Sequence, residues 1–255
     1  MSPEKVCLVL GAGAGIGGCV GKRFAREGFH AVLARRSDQG GLDRLVREIE
    51  AEGGVATGCL IDATREGAIE QLVEETEREL GPIEVAVFNL GAQIGNRSLA
   101  DTPLKTFELG WRMAGFGLFR LARVLFPMMV ERGSGTLLVT SATAAYRGNA
   151  GQHSHAAAMG ARRMLCQSLN AEFGPQGIHV ATILIDGAVD APDTLGKMLG
   201  KEAFEKLRRD VGARDGLLLP EAIADSYFHL FQQHRSAWTH EMDLRPFADS
   251  PWWND

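Results

Sequence analysis

Cysteine is scarce and scattered. The chain has four, Cys7, Cys19, Cys59 and Cys166. There is no CxxC pair and no histidine at ligand spacing, so neither a disulfide framework nor a metal site is expected, and the usage fits a reducing compartment. Positive charge is not in excess. Lys and Arg number 27 against 32 Asp and Glu, a net charge of −5, which gives no general attraction to nucleic acid or an anionic membrane. No basic apolar leader is visible, and no apolar run looks long enough to cross a bilayer. The expected location is the cytoplasm. Repeats, low-complexity stretches and linkers are also lacking, so the 255 residues read as one domain spanning 1–255.

Glycine, by contrast, is plentiful at one place. The apolar run Val6-Cys7-Leu8-Val9-Leu10 leads into Gly11-Ala12-Gly13-Ala14-Gly15-Ile16-Gly17. An amphipathic stretch follows, with Val20, Phe24 and Ala25 on one side and Lys22, Arg23 and Arg26 on the other. This reads as strand, tight turn, helix. Glycine lets the chain turn sharply and bring bare backbone against a ligand. The unpaired N–H groups at the start of the helix favour a phosphate, as at the first βα turn of a doubly wound sheet.

Strand and helix patterns then alternate. Ala31–Ala34 is a second strand, ending in Arg35-Arg36-Ser37-Asp38, and a helix opens at Gly40-Gly41 with Leu42, Leu45, Val46 and Ile49 at helical spacing. Val55–Ile61 is a third strand ending at Asp62, followed by a helix capped by Thr64 or a neighbour and stopped at Gly81-Pro82. Ile83–Phe88 is a fourth strand, apolar throughout as a strand buried on both faces should be, ending at Asn89-Leu90-Gly91-Ala92. A long helical pattern covers 103–131, then come a strand at Thr136–Thr140, a helix over 152–173 and a strand at Ile178–Ile185. Residues 191–216 break the rhythm and stand where a substrate lid would. A helix at Glu221–Phe231, a last strand within Ala237–Leu244 and the aromatic Trp252-Trp253 complete the chain. The fold class expected is α/β, a Rossmann-like doubly wound sheet of about seven mostly parallel strands with helices on both faces.

From about residue 5 to about residue 245 the sequence resembles the short-chain dehydrogenases/reductases. The family motif TGxxxGxG is matched by Leu10-Gly11-Ala12-Gly13-Ala14-Gly15-Ile16-Gly17, with Leu10 in place of Thr. The Asp along the adenine is matched by Asp62, beside Ala63. The family NNAG is matched loosely by Phe88-Asn89-Leu90-Gly91, and Gly177-Ile178-His179-Val180 matches the signature before the sixth strand. The resemblance implies a dinucleotide held by Gly11, Gly13, Gly15, Ile16, Gly17, Asp62, Ala63, Asn89 and Gly91. Gly187 would belong to the turn facing the carboxamide, with Asp186, in the place of the family's proline, either a new polar group in the site or, the favoured reading, a turn former.

Cofactor choice is read at the end of the second strand. A carboxylate there would bind ribose hydroxyls and repel a 2′-phosphate. Arg35, Arg36 and Ser37 suit a phosphate, so NADP(H) is favoured over NAD(H), the alternative being a solvated charge pair.

The resemblance fails at the catalytic helix. Counting back from Leu165–Pro175 without a gap puts the family Tyr position at His155 and the Lys position at Met159. An imidazole titrates near neutrality, so His155 either acts as the acid or merely fills the space of the lost Tyr, whereas a thioether supplies neither proton nor charge. The carbonyl-polarising hydroxyl falls to Ser141 or Thr143. The family Asn is matched near Arg112, a candidate for an anionic substrate. Arg162 and Arg163 stand one turn past Met159 as substitutes for the lost Lys, as solvent-facing charges or as subunit contacts, and Tyr146 reads as packing against alanines. Two readings follow. One is an NADP(H)-dependent oxidoreductase acting on a small-molecule carbonyl or alcohol with altered catalytic residues. The other is an impaired or non-redox protein of this fold that binds a nucleotide or metabolite. Family members pair through the long helices; here Trp111, Phe116, Phe119, Met164 and Leu165 suit a homodimer or homotetramer, with the tryptophan tail closing over a neighbour. No nucleic-acid or membrane partner is expected.

Overall fold

The structure, a computed structural model, describes residues 5–91 and 95–253. Ala92, at the end of the fourth strand as read above, lies outside the described residues. Strands β1 (Val6–Leu10), β2 (His30–Arg35), β3 (Val55–Leu60), β4 (Ile83–Phe88), β5 (Gly135–Ala142), β6 (Ile178–Ile185) and β7 (Glu241–Leu244) form one sheet. Their order is β3-β2-β1-β4-β5-β6-β7, and every pair is parallel. The order reverses direction between β1 and β4, which opens a crevice at their carboxyl ends.

The central strands are largely apolar because both their faces are covered, whereas the edge strands β3 and β7 are partly exposed and β7 carries Glu241 and Asp243. Along β1, Val6, Leu8 and Leu10 join one core while Cys7 and Val9 join the other. The first core takes Ile69, Leu72 and Val73 of α3 (Ala68–Glu79), Leu118 to Met129 of α5 (Gly117–Arg132), and Cys166 and Leu169 of α6 (His153–Phe173). The second takes Val20 and Phe24 of α1 (Ile16–Arg26), Leu42, Leu45 and Ile49 of α2 (Gln39–Ala51), and Ile223 to Leu230 of α9 (Pro220–Gln232). Each set has helical spacing, so one stripe per helix meets the sheet.

Three expectations need correction. Thr64 does not cap α3; Gly67, at φ +78°, precedes that helix, and Thr64 instead bonds Asp62. The pattern over 103–131 is α4 (Leu104–Trp111), a π-turn at Arg112–Phe116, and then α5. The extra residue of the π-turn shifts the register while leaving the apolar pattern readable as one helix. That stretch, Leu104–Arg132, is long and apolar enough to span a bilayer, with a mean hydropathy of 1.4, yet 56% of the apolar window is buried inside the molecule. The burial lies mainly in α5, which packs on the sheet, while α4 buries Gly110 alone. The segment after β6 holds a π-turn at Pro192–Gly196, α7 (Lys197–Leu199), α8 (Lys201–Asp210), which carries Phe204 and Leu207 among its charges, and a 3-10 turn at Gly212–Arg214.

Candidate functional site

The glycine loop is tied to its neighbours before any ligand is considered. Gly11 and Ala12 donate their N–H groups to Ala34 O at 2.8 and 3.0 Å, and Gly18 N–H closes onto Gly13 O at 2.8 Å. Gly11 sits at φ +96°, a conformation open to glycine. A Cβ on Gly17 would lie 2.2 Å from Gly11 O, whereas one on Gly13 would meet nothing within 4 Å. The loop is therefore packed at Gly17 and bare at Gly13.

That bare face looks into a cleft of about 450 Å³. Gly11, Gly13, Gly15, Ile16 and Gly17 form one wall; Arg35, Arg36 and Ser37 follow β2, Asp62 and Ala63 follow β3, and Asn89 and Gly91 follow β4. Met113 of the π-turn and Val189, Ala191 and Thr194 beyond β6 close the other end. Of the residues the sequence assigns to a nucleotide, Gly187 is the one outside this lining. It sits at φ +147° and packs against Pro246, where an added Cβ would meet Cδ at 2.8 Å.

Charge is unevenly distributed along the cleft. Arg35 pairs with Asp38 at 3.2 Å, and Asp38, itself at φ +70°, accepts the Gly41 N–H at 2.9 Å. The Gly41 N–H, and then Arg35, hold the Asp38 carboxyl below its usual range. Arg36 is exposed and has no ion pair among the described residues. Asp62 accepts the hydroxyl of Thr64 at 2.6 Å and its N–H at 2.9 Å, and these bonds keep its carboxyl low. A cationic, hydroxyl-bearing corner at Arg35–Ser37 thus faces a fixed carboxylate at Asp62.

The floor is a chain of partly buried hydrogen bonds. Thr140 Oγ1 donates to Asn89 Oδ1 at 2.7 Å, and Asn89 Nδ2 donates to Gly11 O at 2.9 Å. Thr140 has one hydroxyl proton, so Tyr227, 2.6 Å away, must donate to it. Burial pushes the Tyr227 phenol strongly upward, which keeps that proton in place. The chain links α9 to the glycine loop through the end of β4.

The candidate catalytic residues are not among those that line this cleft. Ser141 is on β5, 4% exposed, and its Oγ has no hydrogen-bond partner among the described residues. Thr143 opens a 3-10 turn, Thr143–Ala145, and accepts the Tyr146 N–H at 2.9 Å. His155 is half-buried near the start of α6. Met159 is 2% exposed in a small cluster with Ala114, Ala144 and Ala158.

Several readings of charged and aromatic residues change. Arg112 points to the exposed side and pairs with Glu108 at 2.9 Å; its neighbour Met113 faces the cleft. Arg162 is not solvent-facing but fully buried, and Arg163 is committed to Glu241, Nε to Oε1 at 2.8 Å. Tyr146 does not simply pack on alanines: its hydroxyl donates to Glu241 at 2.7 Å and its ring lies 5.2 Å from Trp252. Asp186, buried, accepts the Trp252 N–H at 3.2 Å, so the tryptophan tail folds onto its own chain. Met113, Thr194 and Tyr227 were missed because a methionine, a loop threonine and a helix tyrosine carry no signal until the sheet brings them to one place.

The comparisons agree with this geometry. Residues 5–195 match the short chain dehydrogenase family. Glycine betaine reductase ATRR of Emericella nidulans is 29% identical over 97% of this chain, which spans only 19% of that longer protein. The 7alpha-hydroxysteroid dehydrogenase of Escherichia coli is 28% identical over 89% of this chain and 86% of its own. A short-chain dehydrogenase structure from Rhodopseudomonas palustris superposes with a TM-score of 0.79 at 33% identity, covering 95% of this chain and 99% of that one. A crevice at a topological switch point, a glycine loop with one bare position and a match over most of the length lead to one conclusion: the chain belongs to the short-chain dehydrogenase family, a family of oxidoreductases whose fold implies a nicotinamide cofactor.

Proposed function

We propose that the chain is an NADP(H)-dependent oxidoreductase for a small carbonyl or alcohol, working with an altered set of proton donors. The observation that carries this reading is the Arg35–Arg36–Ser37 corner of the cleft, with Arg36 exposed and unpaired among the described residues. A cofactor 2′-phosphate there would find two guanidinium groups and a hydroxyl. The residues fit a dinucleotide: the gap over Gly13 that a Cβ would fill leaves room for a pyrophosphate, with the first turn of α1 behind it.

When bound, the nicotinamide supplies or accepts a hydride. The protein's part is to orient the substrate oxygen and move one proton. Ser141, whose buried hydroxyl lacks a partner among the described residues, is the better donor to that oxygen than Thr143, since an unsatisfied buried hydroxyl costs about 1–3 kcal/mol until it finds an acceptor. His155, at the position the family gives to Tyr, is the proton donor in this reading. Met159, at the Lys position, contributes packing alone.

That buried thioether also favours a second reading, a protein that keeps the nucleotide and has lost the hydride transfer. NADPH oxidation over a broad ketone panel separates the two. The oxidoreductase reading expects turnover that His155→Ala abolishes, and a rise in the His155→Tyr/Met159→Lys double variant. No turnover in either protein supports the second reading. We further assign residues 191–216 as the substrate lid, the helices carrying Trp111, Phe116, Phe119 and Met164 as a homodimer or homotetramer interface, and the cytoplasm as the location.

A further inference from the structure

Helix α6 buries a cation that none of these roles uses. Arg162 is 2% exposed. Its Nη1 donates to Thr140 O at 2.6 Å, its Nη2 to Leu90 O at 2.7 Å and its Nε to Ala114 O at 3.4 Å. Its guanidinium also stands 5.0 Å from the centre of the Phe88 ring. No carboxylate pairs with it among the described residues, whereas the next residue, Arg163, is paired with Glu241. A guanidinium buried with carbonyls alone keeps its full charge in a poorly screened place.

The three carbonyls locate that charge. They come from the end of β4, the end of β5 and the π-turn. Leu90 lines the cleft, and Ala114 follows Met113, which also lines it. This is the end of the cleft away from Arg35, Arg36 and Asp62. If the adenosine takes the Arg35–Asp62 end, the nicotinamide is left with the end that Arg162 underlies. The lysine that the family keeps on this helix is absent, yet a cation remains one turn further along.

We propose that Arg162 is a positioning residue that stands in for the lost lysine: it clamps the floor of the inner end of the cleft, and its unpaired charge favours the reduced, uncharged nicotinamide over the oxidised, cationic one. The inference rests on the cofactor reading above. The titratable groups facing Arg162 are Cys166 on its own helix and Tyr227 from α9, and burial pushes both upward, Cys166 to about 11. Burial lowers Arg162 itself to about 10, so none of the three changes charge near neutral pH.

Dissociation constants for NADPH and NADP, measured by calorimetry on the full chain, test this. The wild type should bind the reduced form about tenfold more tightly, a Coulombic effect of ordinary size for an internal unit charge. Arg162→Met should reduce that preference to within about twofold, whatever it does to the midpoint of unfolding. Arg162→Lys should keep the preference at low pH and lose it as pH rises, because a buried amine gives up its proton far more readily than a guanidinium. The wild-type preference should stay flat over the same range. Equal binding of both forms by the wild type overturns the proposal, as does a folded Arg162→Met that keeps the preference. If the Met variant does not fold, the Lys variant decides, and a preference unchanged from about pH 6 to pH 9 overturns it. Binding of neither nucleotide refutes the cofactor reading itself, and this inference falls with it.

Discussion

At Gly13 and Gly17 the same substitution has opposite consequences. An alanine Cβ at Gly17 would press on Gly11 O at 2.2 Å and on Asn89 Nδ2 at 2.9 Å, both fixed by the hydrogen-bond chain. Gly17→Ala is expected to lose about 1–3 kcal/mol of stability, read as a lower midpoint in thermal unfolding. At Gly13 the added carbon meets nothing, so Gly13→Ala should leave the midpoint within about 0.5 kcal/mol of wild type while weakening NADPH binding. Asp186 offers a pH test at the same scale. Burial raises its carboxyl above the usual range, and Asp243 and Asp249 add to the rise. A carboxyl with a raised folded pKa binds its proton more tightly when folded, so its penalty is absent at low pH and grows as pH rises through that pKa. Asp186→Asn, which keeps an oxygen for the Trp252 N–H, should therefore stabilise the protein at neutral pH. The gain should vanish below about pH 4, and chemical denaturation at the two pH values checks it.

Between elements, the tightest polar tie is Arg120 of α5. Its Nε donates to Glu70 Oε1 at 2.8 Å, a second nitrogen meets Oε2, and Nη1 reaches Ala63 O at 3.0 Å. Ala63 lines the cleft, so α5 steadies one wall of the site. Arg120→Met should cost about 1–3 kcal/mol, less than for a fully buried pair because Glu70 is partly exposed. It should also weaken nucleotide binding, which titration calorimetry measures. Arg120 holds the Glu70 carboxyl low, so this stabilisation is present above the ordinary Glu pKa and is lost as pH falls through the lowered one.

What was legible in the sequence follows from what is periodic or unique to glycine. The strands show because parallel strands are apolar on both faces, and the loop shows because φ at Gly11 and the contact at Gly17 leave no other residue type. The π-turn at Arg112–Phe116 stays hidden, since an inserted residue preserves an apolar pattern. Arg162 is hidden too: an arginine on a helix reads as solvent-facing until three carbonyls are seen around it. Ser141 and Thr143 are two residues apart near a strand end, and spacing alone does not separate them. The partnerless hydroxyl at Ser141 is a feature of packing.

For the whole molecule, one group of exposed apolar side chains lies along the long helical stretches 104–132 and 153–173. Leu104, Phe107, Trp111, Phe116, Phe119 and Met164 are all exposed, and Trp111 stacks on Phe116 at 5.4 Å. A second copy of the chain would cover them. Sedimentation is expected to show a dimer or tetramer, and Phe119→Glu should shift it toward monomer with the fold intact. A wild-type monomer would leave these side chains without that explanation.

The central claim is that the cleft between β1 and β4 holds a nicotinamide dinucleotide and selects the 2′-phosphate. A thermal-shift titration with NADPH, NADP, NADH and NAD tests it most directly. A ligand at about a hundred times its dissociation constant adds roughly 2.7 kcal/mol, which is about 5–10 °C for a chain of this size. The account predicts a shift of that order with NADPH, little with NADH, and loss of the difference in Arg35→Ala/Arg36→Ala. An equal response to NADH and NADPH would contradict the phosphate corner, and no response to any of the four would contradict the cofactor site itself.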